Sequence, residues 1–244
     1  MSVTPELHYG DVREDKYVLK RYDTYIQFMR EFVKDKNEVS VLDVGGYFTF
    51  LLHLKDTFED FDKIAHYEIL DFDTSSIDIV KQAGAITTVV NFDLENLEDV
   101  SRLDGYDIVI CTEVLEHLVN PPKHIASLNE LVKSDGICII SLPNENSIFH
   151  RLMSVIGAGV DQCAFELYKH LHLPTINQSK KFVGTHLDVQ KITYYINPSL
   201  TNSRMAFLGK IITLLPDGFW WLLTRMMPAL FARGIVFECR KVAK

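Results

Sequence analysis

The feature that most constrains the fold is an alternation of short apolar runs with segments of helical periodicity. In one such segment, FTFLLHLKDTF, apolar residues recur every three or four positions. The runs that predict buried strands are 39–44, 64–70, 86–90, 106–111 and 136–142. Strands and helices in alternation predict an α/β fold, with a doubly wound, mostly parallel sheet and helices on both faces.

Composition narrows the class of protein. The chain has 244 residues and a formal net charge of -8, which argues against general nucleic-acid binding. The first ten residues, MSVTPELHYG, lack the apolar region of a signal peptide, and no uncharged run approaches the roughly 20 residues of a transmembrane helix. Cys111, Cys138 and Cys239 stand in strand-like runs, as reduced core thiols do. We therefore expect a cytoplasmic protein.

Polar residues and glycines, with a few neighbours, follow every predicted strand. A parallel sheet binds ligands at this end of its strands. The residues are Asp43, Gly45 and Gly46, then Asp71, then Asp93 and Leu94, then Thr112 and Glu113, then Pro143 and Asn144. A single acid in such a place is often only a helix N-cap. Their joint placement at five strand ends indicates a ligand site along one edge of the sheet.

The motifs at these strand ends resemble those of a known family. VLDVGG, ILDFDTSSIDIVKQAG, NFDLENL, YDIVICTEVLEHLVNPPKHI and SDGICIISLPN occur in this order between about residues 20 and 145. Together they resemble the class I S-adenosylmethionine-dependent methyltransferases, in the branch with an EVLEH signature followed by proline. The resemblance implies a Rossmann-like sheet of seven strands, S-adenosylmethionine as the cofactor and methyl transfer as the reaction.

The resemblance also implies roles at the first two strand ends. Asp43 would orient the glycine turn and the amino group of the methionine moiety. Gly45 and Gly46 would let the backbone pass close to the cofactor. Asp71 would accept hydrogen bonds from both ribose hydroxyls, which a carboxylate suits, and Phe72 would pack against adenine.

At the next two strand ends, the resemblance places the adenine amine and the methyl group. Asp93 would accept from the adenine exocyclic amine, with the Leu94 backbone nearby. Thr112 and Glu113 would line the floor below the methionine and the transferable methyl.

The glycine turn departs from the family pattern, because Tyr47 and Thr49 stand where that pattern places glycines. In one interpretation Tyr47 turns its ring away and the cofactor still binds. In a second, Tyr47 occludes the pocket and the chain is a non-catalytic binding protein with a methyltransferase fold. In a third, a different ligand binds. The joint presence of Asp71, Asp93 and Glu113 favours the first.

Methyl transfer from a sulfonium is a direct displacement, and an acceptor hydroxyl benefits from a base. His117 follows the fourth strand by a turn and a half of helix and is one candidate, although a core or capping role fits equally. His186 is the second, because it precedes a predicted helix N-cap at Asp188, where related enzymes often carry a histidine that faces the active site. The remaining candidates are Glu116, His150, His170 and His172.

His170 and His172 form an HxH pair in YKHLHLP, a pattern that can bind metal. A third ligand in register is not evident from the sequence. We therefore favour a lid or loop role for the pair and expect no metal.

The domain organisation follows from the length of the connections. We predict one methyltransferase-like domain over 1–244, with a cofactor-binding core at 20–145. A connection as long as 146–184 is generally functional, and we predict that it forms a helical lid over the acceptor. The segment 185–244 would supply the substrate side and end in an antiparallel strand at 234–242. The acceptor would be a small or lipid-linked metabolite, methylated on oxygen.

The most apolar part of the chain is 205–234. Pro216 and Pro228 divide it, so it cannot cross a bilayer as one helix. Trp220, Trp221 and their neighbours form too broad an apolar surface for a helix with one face on a sheet. These residues either wall the acceptor pocket, which we favour, or form an exposed patch that meets a membrane surface or a second subunit of a homodimer.

Overall fold

A computed structural model describes residues 16–46, 48–71, 87–91, 105–155, 157, 170–195 and 216–242. Within them, strands alternate with helices in the predicted order. The strands are β1 (Val39–Val44), β2 (Ile64–Asp71), β3 (Thr87–Asn91), β4 (Tyr106–Thr112), β5 (Val132–Pro143), β6 (Asp188–Tyr195) and β7 (Gly234–Arg240). The five apolar runs of the sequence are thus all strands, and the predicted final strand is β7.

The strands form one seven-stranded sheet in the order β3-β2-β1-β4-β5-β7-β6. Neighbouring strands from β3 to β5 are parallel, whereas β7 runs antiparallel to both β5 and β6. The predicted doubly wound, mostly parallel α/β sheet is therefore confirmed. The strand order reverses between β1 and β4, the place where such sheets bind ligands.

The helices are α1 (Lys16–Val33), α2 (Phe48–Thr57), α3 (Pro121–Leu131), α4 (Ile148–Val155), α5 (Ile176–His186), α6 (Asp217–Met226) and α7 (Pro228–Phe231). Two 3-10 turns lie at Phe61–Lys63 and Leu115–His117. The helix predicted in QCAFELYKHL falls outside the described residues, apart from His170 and Leu171, which are not helical.

Apolar side chains cover both faces of the sheet. On one face, α1 and α2 bury residues spaced three or four apart, among them Tyr25, Met29 and Leu54. On the other face, α3 and α5 contribute Leu128 and Val183. Each fully buried side chain of this size stabilises the fold by about 1.5–3 kcal/mol relative to exposure. The sheet is thereby held rigid, and its strand ends are fixed relative to one another.

Helix α3 begins as predicted but ends earlier. Asn120 caps it by accepting from the Lys123 N–H at 3.2 Å, and prolines occupy its first two positions. We predicted that the helix stops near Gly136, whereas it ends at Leu131 and β5 starts at Val132. Gly136 serves the sheet, since a Cβ there would lie 2.8 Å from the Asp107 carbonyl oxygen of the neighbouring strand.

The structure also corrects the segment around Asp188. This residue begins β6 and does not cap a helix. The helix lies upstream as α5, which starts with a capping box between Thr175 and Gln178 and ends at His186. Because Ile176 and Val183 of α5 belong to the core, this helix packs as part of the sheet layer rather than as a lid.

Among the described residues, no helix is long and apolar enough to cross a membrane. Cys111, Cys138 and Cys239 are buried and free, as predicted. Cys163 lies outside the described residues.

Candidate functional site

The sheet register brings the predicted cofactor residues to one level. Val44 pairs with Leu70 on one side and with Cys111 on the other. Gly45, Asp71 and Thr112 each follow these partners by one residue. The ends of β2, β1 and β4 therefore form a continuous edge, with a carboxylate, a glycine turn and a hydroxyl side by side.

The glycine turn is required by the protein's own packing. Gly45 has φ +67, which an L side chain rarely adopts, and a Cβ there would collide with the Val114 side chain. At Gly46, a Cβ would lie 2.5 Å from the Asp43 carboxyl carbon. The two glycines thus let the chain turn tightly over Asp43 and against Val114.

Asp43 is a buried carboxyl group under this turn. It is 2% exposed, and the Tyr67 hydroxyl donates to its Oδ2 at 2.8 Å. Burial raises its pKa to about 7, while the Tyr67 hydrogen bond lowers the pKa and the negative charge of Asp71 raises it. A cationic group of a ligand at this strand end would stabilise the carboxylate.

The family departure at Thr49 has a structural explanation. Its side chain is buried and its hydroxyl lies 2.8 Å from the Tyr22 hydroxyl of α1. Thr49 therefore joins α2 to α1 and does not project toward the glycine turn. Tyr47 lies outside the described residues.

Glu113, directly after β4, is held in a strained conformation by a polar network. It has φ +58, a value that costs energy for a residue with a side chain and often marks functional sites. Ser141 and Tyr195 donate to its Oε1 at 2.7 and 3.1 Å, and an Arg21 guanidinium nitrogen lies 3.1 Å from its Oε2. Sequence patterns gave no sign of these three partners, since each comes from a distant segment.

A polar cavity of about 160 Å³ opens beside Glu113. Its other lining residues come from five separate segments: Val18 and Arg21, Pro143 and Glu145, His170, Tyr195 and Arg233. It contains charges of both signs and lies at the carboxyl ends of β4 and β5. Its position next to the predicted methionine site suits an acceptor.

Two histidines flank the buried carboxylate of Glu145. His170 Nδ1 lies 2.9 Å from Glu145 Oε1, and His150 Nε2 lies 3.6 Å from Oε2. An Arg233 guanidinium nitrogen lies 2.9 Å from the same His150 nitrogen. Burial raises the Glu145 pKa, but the His170 hydrogen bond and the nearby positive charges outweigh burial and hold the pKa below its usual value. For His150, burial lowers the pKa.

Glu116 and His117, the last residues of EVLEH, lie behind this cavity. The Glu116 side chain is fully buried, and burial, reinforced by the negative charge of Glu113, raises its pKa well above the usual value. Its Oε1 lies 3.9 Å from His170 Nε2, and the His117 and His170 rings pack edge to face at 4.7 Å. The structure thus brings a predicted base, His117, together with His170.

The second histidine of the HxH pair has a separate role. His172 Nε2 donates to the Leu118 carbonyl oxygen at 2.9 Å. The Glu116 carbonyl oxygen accepts from the backbone N–H groups of Leu171 and His172 at 2.8 and 3.0 Å. The segment 170–172 is therefore fixed to the turn after β4.

A second cavity, of about 260 Å³, adjoins Glu116 on the α3 and α5 side. Its apolar lining is Leu115, Pro121, Pro122, Leu142, Pro174 and Phe182, and its polar lining is Glu116, His172, Gln178 and Ser179. Because Glu116 borders this apolar cavity and His170 borders the polar one, the contact between their side chains separates the two.

The remaining predicted site residues fall outside this site or outside the described residues. Phe72, Asp93 and Leu94 are not described. His186 ends α5 just before the amino end of β6, whereas Tyr195, at the carboxyl end of β6, is the residue that reaches Glu113. His186 therefore lies at the opposite end of the sheet, and its prediction as a catalytic residue is wrong.

Comparisons with known proteins agree with this geometry. A family model for a methyltransferase domain matches residues 15–193, which is most of the chain. A ubiquinone biosynthesis O-methyltransferase of Rickettsia bellii (strain OSU 85-389) is 29% identical over 140 residues, which are 57% of this chain and 55% of that protein. The chain thus spans about half the length of this relative.

Solved structures show the same fold at low identity. The N-methyltransferase NodS from Bradyrhizobium japonicum WM9, in complex with S-adenosyl-L-homocysteine, aligns with a TM-score of 0.55 at 10% identity, over 95% of this chain and 91% of that chain. The 4+2 cyclase SpnF aligns with a TM-score of 0.55 at 11% identity, over 91% and 82%. The chain belongs to the methyltransferase domain family, and its predicted assignment to the class I S-adenosylmethionine-dependent methyltransferases is confirmed by family and fold.

Proposed function

We propose that this chain transfers a methyl group from S-adenosylmethionine to a hydroxyl oxygen of a small or lipid-linked acceptor. The observation that carries the proposal is the polar cavity beside Glu113, which adjoins the level edge formed by Gly45, Asp71 and Thr112. A donor on that edge and an acceptor in the cavity would meet at the end of β4. The relatives named as O-methyltransferases support oxygen as the acceptor atom.

The residues of the cofactor edge fit S-adenosylmethionine. Its ammonium group would stabilise the buried Asp43 carboxylate, whose pKa burial raises to about 7. Asp71 would accept from the ribose hydroxyls. When bound, the cofactor supplies an electrophilic methyl group on a sulfonium, so the protein has mainly to position the acceptor oxygen in line and exclude water.

The cavity residues would orient the acceptor. Arg21 and Tyr195 hold Glu113 in place from one side. On the other side, His170 borders the cavity and packs against His117, and we assign activation of the acceptor hydroxyl to these two imidazoles. The apolar cavity behind Glu116 would take an apolar part of the acceptor, which favours an amphiphilic acceptor over a fully polar one.

The lipid-linked part of the proposal also rests on an exposed apolar surface near the cavity. Phe219, Trp221, Leu222, Met226 and Met227, all in or just after α6, are 41–67% exposed, and Leu152 and Val155 of α4 are 44% and 83% exposed. For these α6 side chains, the favoured interpretation as a buried wall is wrong. The rings of Phe149 and Trp220 pack at 6.3 Å and join the two helices into one surface, the α4–α6 patch.

The α4–α6 patch suits peripheral contact with a membrane. The Arg225 guanidinium lies 5.3 Å from the centre of the Trp221 ring, an arrangement that places a cation beside an amphipathic ring as at a lipid interface. Arg233, which follows α7, connects this side of the molecule with the polar cavity. A lipid-linked acceptor could therefore reach the cavity from a membrane on which the patch rests.

Methyl transfer is tested with S-[methyl-³H]adenosylmethionine and two catechols as probes, one unsubstituted and one with a medium-length alkyl chain. We expect methylation of both, with a lower KM for the alkyl catechol because its chain enters the apolar cavity. Equal KM values would contradict the amphiphilic acceptor. If S-adenosylhomocysteine binds by calorimetry but neither those probes nor alkylamines are methylated, the methyltransferase proposal fails.

A second candidate function is binding or other chemistry without methyl transfer, since a cyclase shares this fold. Binding of S-adenosylhomocysteine without turnover of the probes would favour it. A complete lack of binding would favour the variant of this alternative in which the glycine turn is occluded.

A further inference from the structure

Glu116 is the least satisfied charged group among the described residues of the site. Its side chain is fully buried, and neither Oε1 nor Oε2 has a hydrogen-bond partner within the described part of the chain. An isolated carboxylate in such a place costs several kcal/mol, and native proteins pair or coordinate buried charges. A partner for this carboxylate is therefore needed, and the groups that face it indicate what the partner is.

Both neighbouring side chains offer imidazole nitrogens. His170 uses Nδ1 to donate to Glu145, so its Nε2 presents a lone pair toward Glu116 Oε1, which lies 3.9 Å away. This separation is too long for a hydrogen bond, and it is of the order found between two ligands that each lie about 2.0–2.2 Å from one ion. One ligand atom each from Glu116, His117 and His170 lies within 4.8 Å of the others.

We propose that Glu116, His117 and His170 bind a divalent transition-metal ion such as Zn²⁺. Two imidazoles and one carboxylate are the protein ligands of catalytic zinc sites, which leave a fourth position for water or substrate. An all-oxygen set would favour Mg²⁺, whereas two nitrogen ligands favour a transition ion. The sequence gave no third ligand in register with His170 and His172, because the true set combines EVLEH with a histidine more than fifty positions later.

Surrounding contacts organise the proposed ligands in advance. Glu145 accepts from His170 Nδ1, the carboxylate–histidine arrangement that commonly orients a metal-bound imidazole. The Glu116 carbonyl oxygen accepts from the N–H groups of Leu171 and His172, which ties the His170 segment to the ligand-bearing turn. His172 thus serves as the anchor of this segment, and only His170 of the HxH pair is a ligand.

The position of the site gives the ion a role in the proposed methyl transfer, and this role alone rests on the proposed function. His170 borders the polar cavity, so the open position would face the acceptor. An acceptor hydroxyl bound there would lose its proton to solvent near neutral pH, as water bound to zinc does. The oxygen would then form a bond to the methyl carbon while the S–CH₃ bond breaks, and sulfur would keep the electron pair of that bond.

The test uses the full-length, tag-free chain after dialysis against a chelator. Zn²⁺ binding is measured by calorimetry, and Co²⁺ binding by its visible absorption, which reports nitrogen ligands and coordination number. We expect one equivalent of each ion in the wild type. Glu116→Gln and His170→Gln should weaken binding by at least about 100-fold, and Glu145→Gln by about 10–100-fold as an outer-shell change.

Two controls separate this proposal from its alternatives. His186→Gln removes an imidazole at the opposite end of the sheet and should leave the binding of Zn²⁺ unchanged. Binding of S-adenosylhomocysteine to Glu116→Gln and His170→Gln should match the wild type, which shows that both variants are folded. If the wild type binds no Zn²⁺, Glu116 is satisfied by a proton and the proposal is wrong. Binding that survives both substitutions would equally overturn it, whatever the result of the methyl-transfer assay.

Discussion

The two halves of the candidate site are built in different ways. The cofactor half consists of the adjacent strand ends of β1, β2 and β4, and its residues follow the apolar runs directly in sequence. The acceptor half gathers Arg21, Glu145, His170, Tyr195 and Arg233 from separate segments. The first half is thus fixed by backbone register and turn geometry, whereas the second is fixed by contacts between side chains. Substitutions should therefore act differently in the two halves.

The largest effect should come from Gly45→Ala in the cofactor half. The new Cβ would require a disfavoured positive φ and would collide with Val114. Strain and overpacking each cost about 1–3 kcal/mol, so we expect a loss of about 4 kcal/mol in the free energy of unfolding. Urea denaturation measures it.

The matched control is Gly218→Ala in α6, where nothing lies within 4 Å of the new Cβ. This change should be neutral or stabilise by about 0.5–1 kcal/mol, since alanine favours a helix over glycine. If the two substitutions destabilise equally, the turn is not what fixes the cofactor half.

The next effect concerns pH and Asp43. Burial raises its pKa in the folded protein to about 7, whereas the unfolded chain should titrate near 3.8. Between these values the folded state holds a proton that the unfolded state has lost. The stabilising contribution is complete below about pH 4 and is lost as the pH rises through 7, with a total of about 2–4 kcal/mol.

Urea denaturation of the wild type and Asp43→Asn at several pH values isolates this contribution. The stability of the wild type relative to the variant should be greatest near pH 4 and should fall toward pH 7.5. A constant difference would show that Asp43 is ionised in the folded protein throughout. Binding of S-adenosylhomocysteine at pH 6 should also release up to about one proton from Asp43, measured by calorimetry in buffers of different ionisation enthalpy.

A smaller effect directly separates the two halves. Asp71→Asn should weaken S-adenosylhomocysteine binding by about 10–100-fold, because the ribose hydroxyls lose a charged acceptor worth about 1.5–3 kcal/mol. Asp56→Asn, on the exposed surface of α2, is the control and should bind like the wild type. If Asp71→Asn keeps full affinity, the cofactor does not use the end of β2.

The smallest effect on the protein itself should come from the α4–α6 patch. Trp221→Ser should change the free energy of unfolding by less than about 0.5 kcal/mol, since Trp221 is 55% exposed. Flotation with neutral phosphatidylcholine vesicles should nevertheless decrease, while Val242→Ser, an exposed change on the other end of β7, should float like the wild type. If the wild type does not float and elutes as a dimer that Trp221→Ser dissociates, the patch is a subunit interface instead.

Much of the cofactor half could be predicted from local patterns. An apolar strand followed by an acid and two glycines determines β1 and its turn, and the register of a parallel sheet then aligns Gly45 with Asp71 and Thr112. Even here the purpose of the glycines was not evident, because the collisions they avoid are with Asp43 and Val114 of the protein itself. Thr49 likewise became intelligible only through its contact with Tyr22.

The sequence by itself determined the α/β alternation, the strand ends that carry polar residues and the family. These depend on periodicity and on short motifs, which a chain carries in adjacent positions. It could not place His186, because α5 and β6 fix that residue at the opposite end of the sheet. Only the tertiary structure decided that Glu116 and His117 meet His170, since burial and long-range contacts join residues that no sequence period relates.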